Sequence, residues 1–276
     1  MSFRYQRRYT GPIQAAIFDW SGTLVDYGSR APVEGFVRLF ERQGISASAE
    51  EARRPMGMHK RDHLETMLAM ESIAKQWNAM NVAPPALADV DRLYAEYIEL
   101  QAELVRHYGT LIPGVLDAAE RLGARAVLVG STTGYARPIM NNLLPIAEAQ
   151  GFHPVSVVCS DEVPDGRPAP WMAITSAMHI GVYPMAACVK IGDTPCDIEE
   201  GLNAGMWTVG VALTGNEMGL TEEEVGELSE EELDVRLLRA NRKLLQAGAN
   251  FVIDDLDELD DVLDEIEERL QRGEQP

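Results

Sequence analysis

Residues 15–23 read AAIFDWSGT, a short apolar run that ends in Asp19 and is followed by the turn-forming residues Ser21 and Gly22. An apolar run of this length between turn residues is typical of a buried strand in a parallel sheet. Similar runs alternate with helical stretches along the chain, at residues 126–131, 155–159, 187–192, 207–211 and 251–253. This alternation predicts an α/β fold, with a Rossmann-like parallel sheet core wrapped by helices.

The segment between the first two predicted strands contains no strand-like run and has a helical pattern. Helices are predicted over residues 31–43, 58–80 and 89–107. Ser48, with Glu51 three residues later, predicts the capped start of a further helix, and residues 81–85 are loop-like. We therefore predict an inserted all-helical cap domain. The predicted boundaries are residues 28–107 for the cap and residues 1–27 and 108–276 for the core.

The composition indicates a two-lobed protein with an acidic surface. A chain of 276 residues that is 46% hydrophobic is long enough for one large core and a second, smaller unit. Lys and Arg number 24 against 44 Asp and Glu, which gives a net charge of −20. Such a charge repels nucleic acids and anionic membranes, so we expect no nucleic-acid partner and no membrane partner.

The cysteines and the hydropathy pattern favour a cytoplasmic protein. Three cysteines without paired spacing argue against a disulfide framework and indicate a reducing compartment. The basic N-terminal segment is not followed by the apolar stretch of a signal peptide. No run of about 18 apolar residues is present, so a membrane helix is not expected.

Acidic side chains follow two of the predicted strands. Asp19 ends the first strand and Asp193 the fourth, and Asp197 comes one turn into the next helix. The run Ser131-Thr132-Thr133-Gly134 ends the second strand. Ligands bind at the carboxyl ends of the strands in open α/β sheets, and three carboxylates there would repel one another without a divalent cation. A lone aspartate in this position is as often a helix cap, but the set together predicts a Mg²⁺ site.

Arg167 lies in the proline-rich stretch DGRPAPW, residues 165–171, after the third predicted strand. Most arginines are exposed on the surface. Flanking prolines, however, reduce the entropy lost when a guanidinium is fixed, and its planar fork matches phosphate or phosphonate oxygens. We therefore predict that Arg167 contacts a phosphorus-containing substrate.

Four motifs, in this order, resemble those of the haloacid dehalogenase superfamily: FDWSGT at 18–23, STTGY at 131–135, GRP at 166–168 and GDTPCD at 192–197. The predicted insertion after the first motif matches the helical cap of that superfamily. Within it, the chain is similar to the phosphonoacetaldehyde hydrolases, or phosphonatases, which cleave a carbon–phosphorus bond. The stretch RRPMGMHKRDH at 53–63 resembles the cap loop that carries their Schiff-base lysine, here Lys60, and GMWTVG at 205–210 also fits.

The resemblance implies hydrolysis of the small-molecule phosphonate phosphonoacetaldehyde to acetaldehyde and phosphate. Lys60 would form a Schiff base with the aldehyde, and Asp19 would attack phosphorus to give an aspartyl phosphate. The carbon would then leave as an enamine. Burial of Lys60 in a closed site would lower its pKa and supply the neutral amine that attacks the aldehyde.

The resemblance also implies a ligand set. Mg²⁺ would be held by Asp19, Asp193 and the backbone carbonyl of Ser21, with Asp197 orienting a metal-bound water. The implied phosphate- and substrate-binding residues are Met56, His63, Thr133, Tyr135 and Arg167. His63 lies three residues after Lys60 on the same helical face, and both a structural role and proton shuttling are open for it.

The resemblance further implies a homodimer, assembled through cap helices. An apolar stripe at helical spacing within the predicted cap consists of Met67, Met70, Ile73 and Trp77. A stripe of this kind is more typical of a domain interior than of an interface.

Ser21 is unusual for the superfamily, whose aspartyl phosphatases normally place a second aspartate at this position to protonate the leaving oxygen. Either the enzyme is inactive or its leaving group needs no proton from here, and Lys60 favours the latter because an enamine carbon leaves. Two alternatives remain: a sugar-phosphate phosphatase or phosphomutase, which should carry an acid at position 21, and a non-catalytic phosphate-binding member. The family can carry a cysteine near this position. This chain has Ser29 there instead, so no thiol role is predicted.

Overall fold

A computed structural model describes residues 8–81 and 83–276. Within these residues the chain forms one six-stranded sheet. The strands are Ala15–Phe18 (β1), Leu128–Thr133 (β2), Ser156–Cys159 (β3), Cys188–Gly192 (β4), Trp207–Val211 (β5) and Phe251–Ile253 (β6). All neighbouring strands are parallel, in the order β3-β2-β1-β4-β5-β6. The Rossmann-like prediction is confirmed.

The position of β1 determines where the functional side chains meet. It lies between β2 and β4, with Phe18 opposite Ser131 on one side and Ile191 on the other. The residues that follow β1 and β4 therefore emerge side by side at the same edge of the sheet. Asp19 and Asp193 occupy these two places.

Six helices of the described chain lie between β1 and β2, and the first five form the insertion: Arg30–Arg42 (α1), Ala49–Arg53 (α2), Lys60–Leu68 (α3), Glu71–Met80 (α4) and Leu87–Leu104 (α5). The inserted helical cap is thereby confirmed. The later helices are Val115–Ala124 (α6), Arg137–Ala149 (α7), Trp171–Ile180 (α8), Pro195–Ala204 (α9), Glu222–Gly226 (α10), Glu230–Gln246 (α11) and Leu259–Gln271 (α12). Of the helices in the described part of the chain, none is long and apolar enough to cross a membrane.

The single helix predicted over residues 58–80 is wrong, because the chain forms α3 and α4 there. Met70 is extended, with φ −66° and ψ 136°, and it separates the two helices. Met67, Ile73 and Trp77 are all buried, so the break lets two short helices turn their apolar faces into one interior. These three residues belong to the interior of the cap, as expected for such a stripe.

Strand β2 begins and ends two residues later than predicted. Ala126 has φ +58° and lies in the turn that ends α6, so it cannot start a strand. Ser131 and Thr133 consequently lie within the strand. The capping box at Ser48 and Glu51 is present as predicted.

Two chain segments connect the core and the cap, and they run side by side. Val25 forms an antiparallel bridge with Leu111. The Ile112 backbone N–H donates to the Leu24 carbonyl at 2.9 Å. The predicted boundaries at residues 27 and 108 lie close to this pairing, and we retain them as our proposal.

Arg53 links α2 to the core loops. Its Nη1 donates to the Gly28 carbonyl at 2.8 Å and to the Asn216 Oδ1 at 3.1 Å, and its Nη2 donates to the Gly219 carbonyl at 3.0 Å. One half-buried guanidinium thus joins α2 to the first residue of the predicted cap, Gly28, and to the core loop at residues 216–219.

Candidate active site

Three carboxylates meet at the edge of the sheet. Asp19 follows β1, Asp193 follows β4, and Asp197 lies in the first turn of α9. Each offers an oxygen within 4.8 Å of the others, and all three residues are buried. The structure therefore brings together the three aspartates that the sequence singled out for a metal site.

The pKa values of the three aspartates are shifted in different directions. Burial raises the pKa of Asp193 well above its usual value, and the nearby carboxylates of Asp19 and Asp197 raise it further. Burial also raises the pKa of Asp19, even though the Arg167 guanidinium acts to lower it. Asp197 differs: burial opposes its ionisation, but Arg167 and Lys190 together hold its pKa below the ordinary value. The aspartates need additional positive charge to be ionised together.

Arg167 is buried in the middle of the cluster. Its Nη2 lies 2.8 Å from Asp19 Oδ1, its Nη1 lies 2.9 Å from Asp197 Oδ1, and its Nε lies 2.8 Å from Glu200 Oε2. Nη2 also donates to the Thr132 carbonyl at 3.0 Å. The Arg167 guanidinium was predicted to contact the substrate. In the structure it contacts protein carboxylates, including that of Asp19, the predicted nucleophile.

Lys190 and Glu200 belong to the same cluster and were missed in the sequence. Lys190 lies within β4, and its Nζ is 2.8 Å from Asp197 Oδ1 and 3.6 Å from Glu200 Oε2. Both residues are fully buried. Two signals point to them: a lysine stands in the otherwise apolar strand 188–192, and Glu200 follows Asp197 by three residues on one helical face.

The charges of the cluster can be counted. Four carboxylates, on Asp19, Asp193, Asp197 and Glu200, face the two cations Arg167 and Lys190. The difference, four minus two, equals the charge of one divalent cation. Oxygen ligands in this arrangement suit Mg²⁺, so the residues present fit the predicted metal.

Asp197 contacts two cations of the protein, Arg167 and Lys190, whereas Asp19 contacts Arg167 alone of the two. One oxygen of Asp197 accepts from Lys190 and Arg167, and the other accepts from the Thr194 hydroxyl at 2.6 Å. Both of its oxygens are therefore engaged within the protein. This arrangement fits the role of orienting residue that the resemblance implies for Asp197.

Lys60 is the first residue of α3 and is buried. Burial lowers its pKa from 10.5 to about 8, although the Asp19 carboxylate acts to raise it. Its Nζ lies 3.6 Å from the sulfur of Met56. The Phe36 and Tyr135 ring centroids lie 5.9 Å and 5.6 Å from Nζ. The positive end of the α3 dipole also disfavours an ammonium at this position.

Lys60 and Asp19 line the same cavity. Its volume is about 20 Å³, which is room for about one water molecule. It is lined by Asp19, Ser21, Ser29, Pro32, Met56, Gly57, Lys60, Thr133, Tyr135, Arg167 and Thr194. Core and cap both contribute to this lining. The cavity thus combines a carboxylate, an arginine and an amine of lowered pKa in one small space.

Of the residues predicted to contact substrate, His63 alone lies outside this lining. Its ring stacks on Phe36 with centroids 3.9 Å apart, and its Nε2 lies 2.9 Å from the Ala52 carbonyl. Burial lowers its pKa well below the usual value, so the ring is neutral. His63 supports the cap from behind Phe36.

Comparisons with known proteins agree with this geometry. A family model described as haloacid dehalogenase-like hydrolase matches residues 13–205. A phosphonoacetaldehyde hydrolase-like protein of Syntrophobacter fumaroxidans is 44% identical over 275 residues, which are 99% of each chain. A phosphonoacetaldehyde hydrolase of Nitratidesulfovibrio vulgaris is 42% identical over 99% of this chain and 98% of its own. The crystal structure of a phosphonoacetaldehyde hydrolase-like protein from Oleispira antarctica matches with a TM-score of 0.98, 39% identity and full coverage of both chains.

The chain belongs to the phosphonoacetaldehyde hydrolase family. It is a hydrolase of the haloacid dehalogenase type. This result confirms the family resemblance found in the four motifs.

In this member of the phosphonoacetaldehyde hydrolase family, the Ser21 hydroxyl is held by the segment that leads from the core into the cap. Its Oγ donates to Asp26 Oδ2 at 2.5 Å and lies 3.2 Å from the Ser29 Oγ. Burial raises the pKa of Asp26 to about 6. Asp26 also accepts the backbone N–H groups of Arg30 and Ala31, at the start of α1. Ser21 and Ser29 therefore form one buried polar group with Asp26.

Proposed function

We propose that this hydrolase cleaves the carbon–phosphorus bond of phosphonoacetaldehyde to give acetaldehyde and phosphate, with Lys60 as the Schiff-base residue and Asp19 as the nucleophile. The observation that carries the proposal is that an amine with a pKa of about 8 and a buried carboxylate line one cavity. The names of relatives that are 42–44% identical support the same substrate. An ordinary phosphate-ester phosphatase has no use for such an amine.

Lys60 begins the reaction in this proposal. Its neutral amine attacks the aldehyde carbon, water leaves, and an iminium forms next to the carbon–phosphorus bond. A pKa of about 8 keeps roughly a tenth of the amine neutral at pH 7. The Met56 sulfur accepts a hydrogen bond from Nζ, and as a weak acceptor it does little to favour the ammonium form.

Asp19 then attacks phosphorus. The bond that forms joins its oxygen to phosphorus, and the carbon–phosphorus bond that breaks leaves its electron pair in the iminium, which becomes an enamine. Protonation of the enamine carbon regenerates an imine, and water releases acetaldehyde from Lys60 and phosphate from Asp19. Arg167 Nη2, at 2.8 Å from Asp19 Oδ1, orients the nucleophile.

Mg²⁺, held by Asp19, Asp193 and the Ser21 carbonyl with Asp197 behind them, would supply charge stabilisation for the phosphoryl oxygens. Thr133 accepts the Tyr135 backbone N–H at 3.1 Å through its Oγ1, so its hydroxyl proton stays available to donate to a phosphonate oxygen. Tyr135 also lines the cavity, and Gln101 Nε2 donates a hydrogen bond to its hydroxyl at 3.0 Å.

We also infer a homodimer, on the strength of the family resemblance. The apolar stripe of the cap does not supply the interface, because Met67, Ile73 and Trp77 face the interior. Light scattering on the purified protein tests the inference, and a monomer at all concentrations would overturn it.

Borohydride trapping tests the reaction. The protein is incubated with phosphonoacetaldehyde and reduced, and its peptides are mapped. Reduction after cleavage leaves an ethyl group on the lysine, and reduction before cleavage leaves a phosphonoethyl group. We expect both on Lys60, with Lys75 and Lys243, which are more exposed, as internal controls for unspecific alkylation.

The same experiment separates the alternatives. A sugar-phosphate phosphatase or phosphomutase would hydrolyse or isomerise phosphate esters and would show equal modification of all accessible lysines. A non-catalytic phosphate-binding protein would release no phosphate from phosphonoacetaldehyde.

A further inference from the structure

Next to the cavity, Glu200 and Lys190 form a fully buried ion pair, and Glu200 contacts Arg167, which lines the cavity. We propose that this pair positions the Arg167 guanidinium so that it holds Asp19 in the orientation for attack on phosphorus. The inference rests on the proposed function of Asp19 as the nucleophile. Glu200 and Lys190 are positioning residues, since they act through Arg167.

The contacts of Arg167 show why Glu200 matters. A guanidinium is a rigid plane, so fixing one edge fixes the direction of the others. Glu200 Oε2 accepts from Nε at 2.8 Å. With that edge fixed, Nη2 faces Asp19 Oδ1 at 2.8 Å. Without it, the guanidinium would be held only through its two Nη groups, by Asp197 and Thr132, and its direction towards Asp19 would be less well fixed.

Glu200 is itself held from several directions. Its Oε2 accepts from the Thr132 hydroxyl at 3.1 Å, and its Oε1 accepts from the Ala173 backbone N–H at 3.2 Å. The Lys190 Nζ lies 3.6 Å from Oε2. Strand β2 and helix α8 thus fix the carboxylate in place, and it can serve as a stationary reference for Arg167.

Lys190 keeps Arg167 from being drawn away from the nucleophile. Its Nζ contacts Asp197 Oδ1 at 2.8 Å, the same oxygen that Arg167 Nη1 contacts at 2.9 Å. If Lys190 were absent, Arg167 would be the nearest cation for both Asp197 and Glu200. These two carboxylates would then attract the Arg167 guanidinium more strongly, at the expense of its contact with Asp19.

Stability alone does not account for this arrangement. Desolvation makes buried ion pairs costly, and well-packed apolar residues in their place are often as stable or more stable. Catalytic geometry gives a reason to keep them, because a displacement of about 1 Å in a catalytic group can lower the rate about 100-fold.

The test is a double-mutant cycle on Lys190→Met and Glu200→Gln. Each single variant leaves an unbalanced buried charge, and the double variant removes one positive and one negative charge together. We expect the melting temperature to fall in the single variants and to recover towards wild type in the double variant. We expect kcat to fall about 100-fold and to stay low in the double variant, with KM little changed. Recovery of kcat together with the melting temperature would show that the pair is only structural and would overturn the inference.

Borohydride trapping supplies a second readout. Arg167 takes no covalent part in imine formation at Lys60, so the double variant should accumulate the phosphonoethyl adduct where wild type gives the ethyl adduct. Glu199→Gln is the matched control, because Glu199 is the exposed neighbour of Glu200 on α9 and makes the same charge change. It should leave kcat and the adduct unchanged.

A crystal structure of Glu200→Gln separates this inference from the proposed function. We expect Arg167 Nη2 to move away from Asp19 Oδ1. If it stays at the distance found here, the inference is wrong whatever the substrate. Failure of the wild-type protein to cleave phosphonoacetaldehyde would overturn the proposed function alone, and the displacement of Arg167 would still decide the positioning role.

Discussion

The Lys60 Nζ lies 3.6 Å from the Met56 sulfur, between the rings of Phe36 and Tyr135. A thioether is a weak acceptor, and aromatic faces attract a cation only modestly compared with a carboxylate or water. These neighbours favour the charged amine less than bulk solvent does, and the loss of solvent outweighs the opposing effect of the Asp19 carboxylate. Its lowered pKa follows from this environment.

The first prediction concerns pH. Because the pKa of Lys60 is about 8, the rate of borohydride trapping should rise about tenfold per pH unit below that value and level off above it. Measurement of the trapping rate from about pH 6 to about pH 10 checks this. A rate still rising at pH 10, as for an ordinary lysine, would show that Lys60 is not perturbed in solution.

The same pKa shift makes a prediction about stability. Between about pH 8 and the unfolded value of 10.5, the folded protein binds fewer protons at Lys60 than the unfolded chain does. The free energy of unfolding therefore gains a contribution that rises with pH across this window. Lys60→Met removes the buried charge, so this variant should be more stable than wild type at pH 7, by about 1–3 kcal/mol, and should lose the pH-dependent contribution. Chemical denaturation of both proteins at pH 7 and pH 10 provides the comparison.

Lys60→Arg should abolish carbon–phosphorus cleavage. A guanidinium keeps the positive charge but stays protonated and cannot form an imine. Phosphate release and borohydride-dependent inactivation should both be lost, while phosphate and Mg²⁺ binding remain in calorimetry. Substantial activity in this variant would mean that Lys60 only neutralises substrate charge, and the phosphonatase proposal would fail.

Ser21→Ala should keep most of the activity. The proposed metal contact of Ser21 is its backbone carbonyl, which the substitution preserves. The lost hydrogen bond to Asp26 should lower the free energy of unfolding by about 1 kcal/mol. A collapse of kcat with normal folding and Mg²⁺ binding would reveal a role for the hydroxyl in the reaction itself.

Asp19→Asn should lower turnover by several orders of magnitude, on the order of a million-fold, because it removes the covalent nucleophile. Circular dichroism should show an intact fold, and trapping should still give the phosphonoethyl adduct on Lys60. Activity within about tenfold of wild type would refute the assignment of the nucleophile.

Gly57 lies in the cap loop with φ +91°, and a Cβ added there would overlap the Thr194 hydroxyl of the core. Gly57→Ala should therefore hold the cap away from the core and lower kcat/KM strongly. The matched control is Gly181→Ala, which has φ +81° and open space around the added Cβ. Both variants carry the backbone strain, at a cost of about 1 kcal/mol, but only Gly57→Ala should lose activity.

Strand positions and the helical insertion were predictable because both depend on local patterns. The apolar residues before Asp19 and before Asp193 each form a run that is typical of a buried strand. The break at Met70 was not predictable in this way, since the residues on both sides of it are good helix formers. It depends on how α3 and α4 pack into one cap interior, which is a tertiary effect.

Some features of the candidate site could likewise be predicted from the sequence, and others could not. Asp19, Asp193 and Asp197 follow strands that run parallel, so their approach could be predicted from topology. The direction of the Arg167 fork could not, because it is determined by Glu200, a residue from a different element. The local signs of that buried partner are the charged Lys190 in an apolar strand and the spacing of Glu200 three residues after Asp197.

The small volume of the cavity bears on which step of the catalytic cycle limits turnover. A space for about one water molecule cannot admit a phosphonate while the cap stays where it is. We therefore expect each turnover to include one opening and one closing of the helical lobe about its paired connecting segments. These movements place an upper limit on kcat that no improvement in the chemical step can exceed. Turnover that slows as solvent viscosity rises would be the signature of that limit.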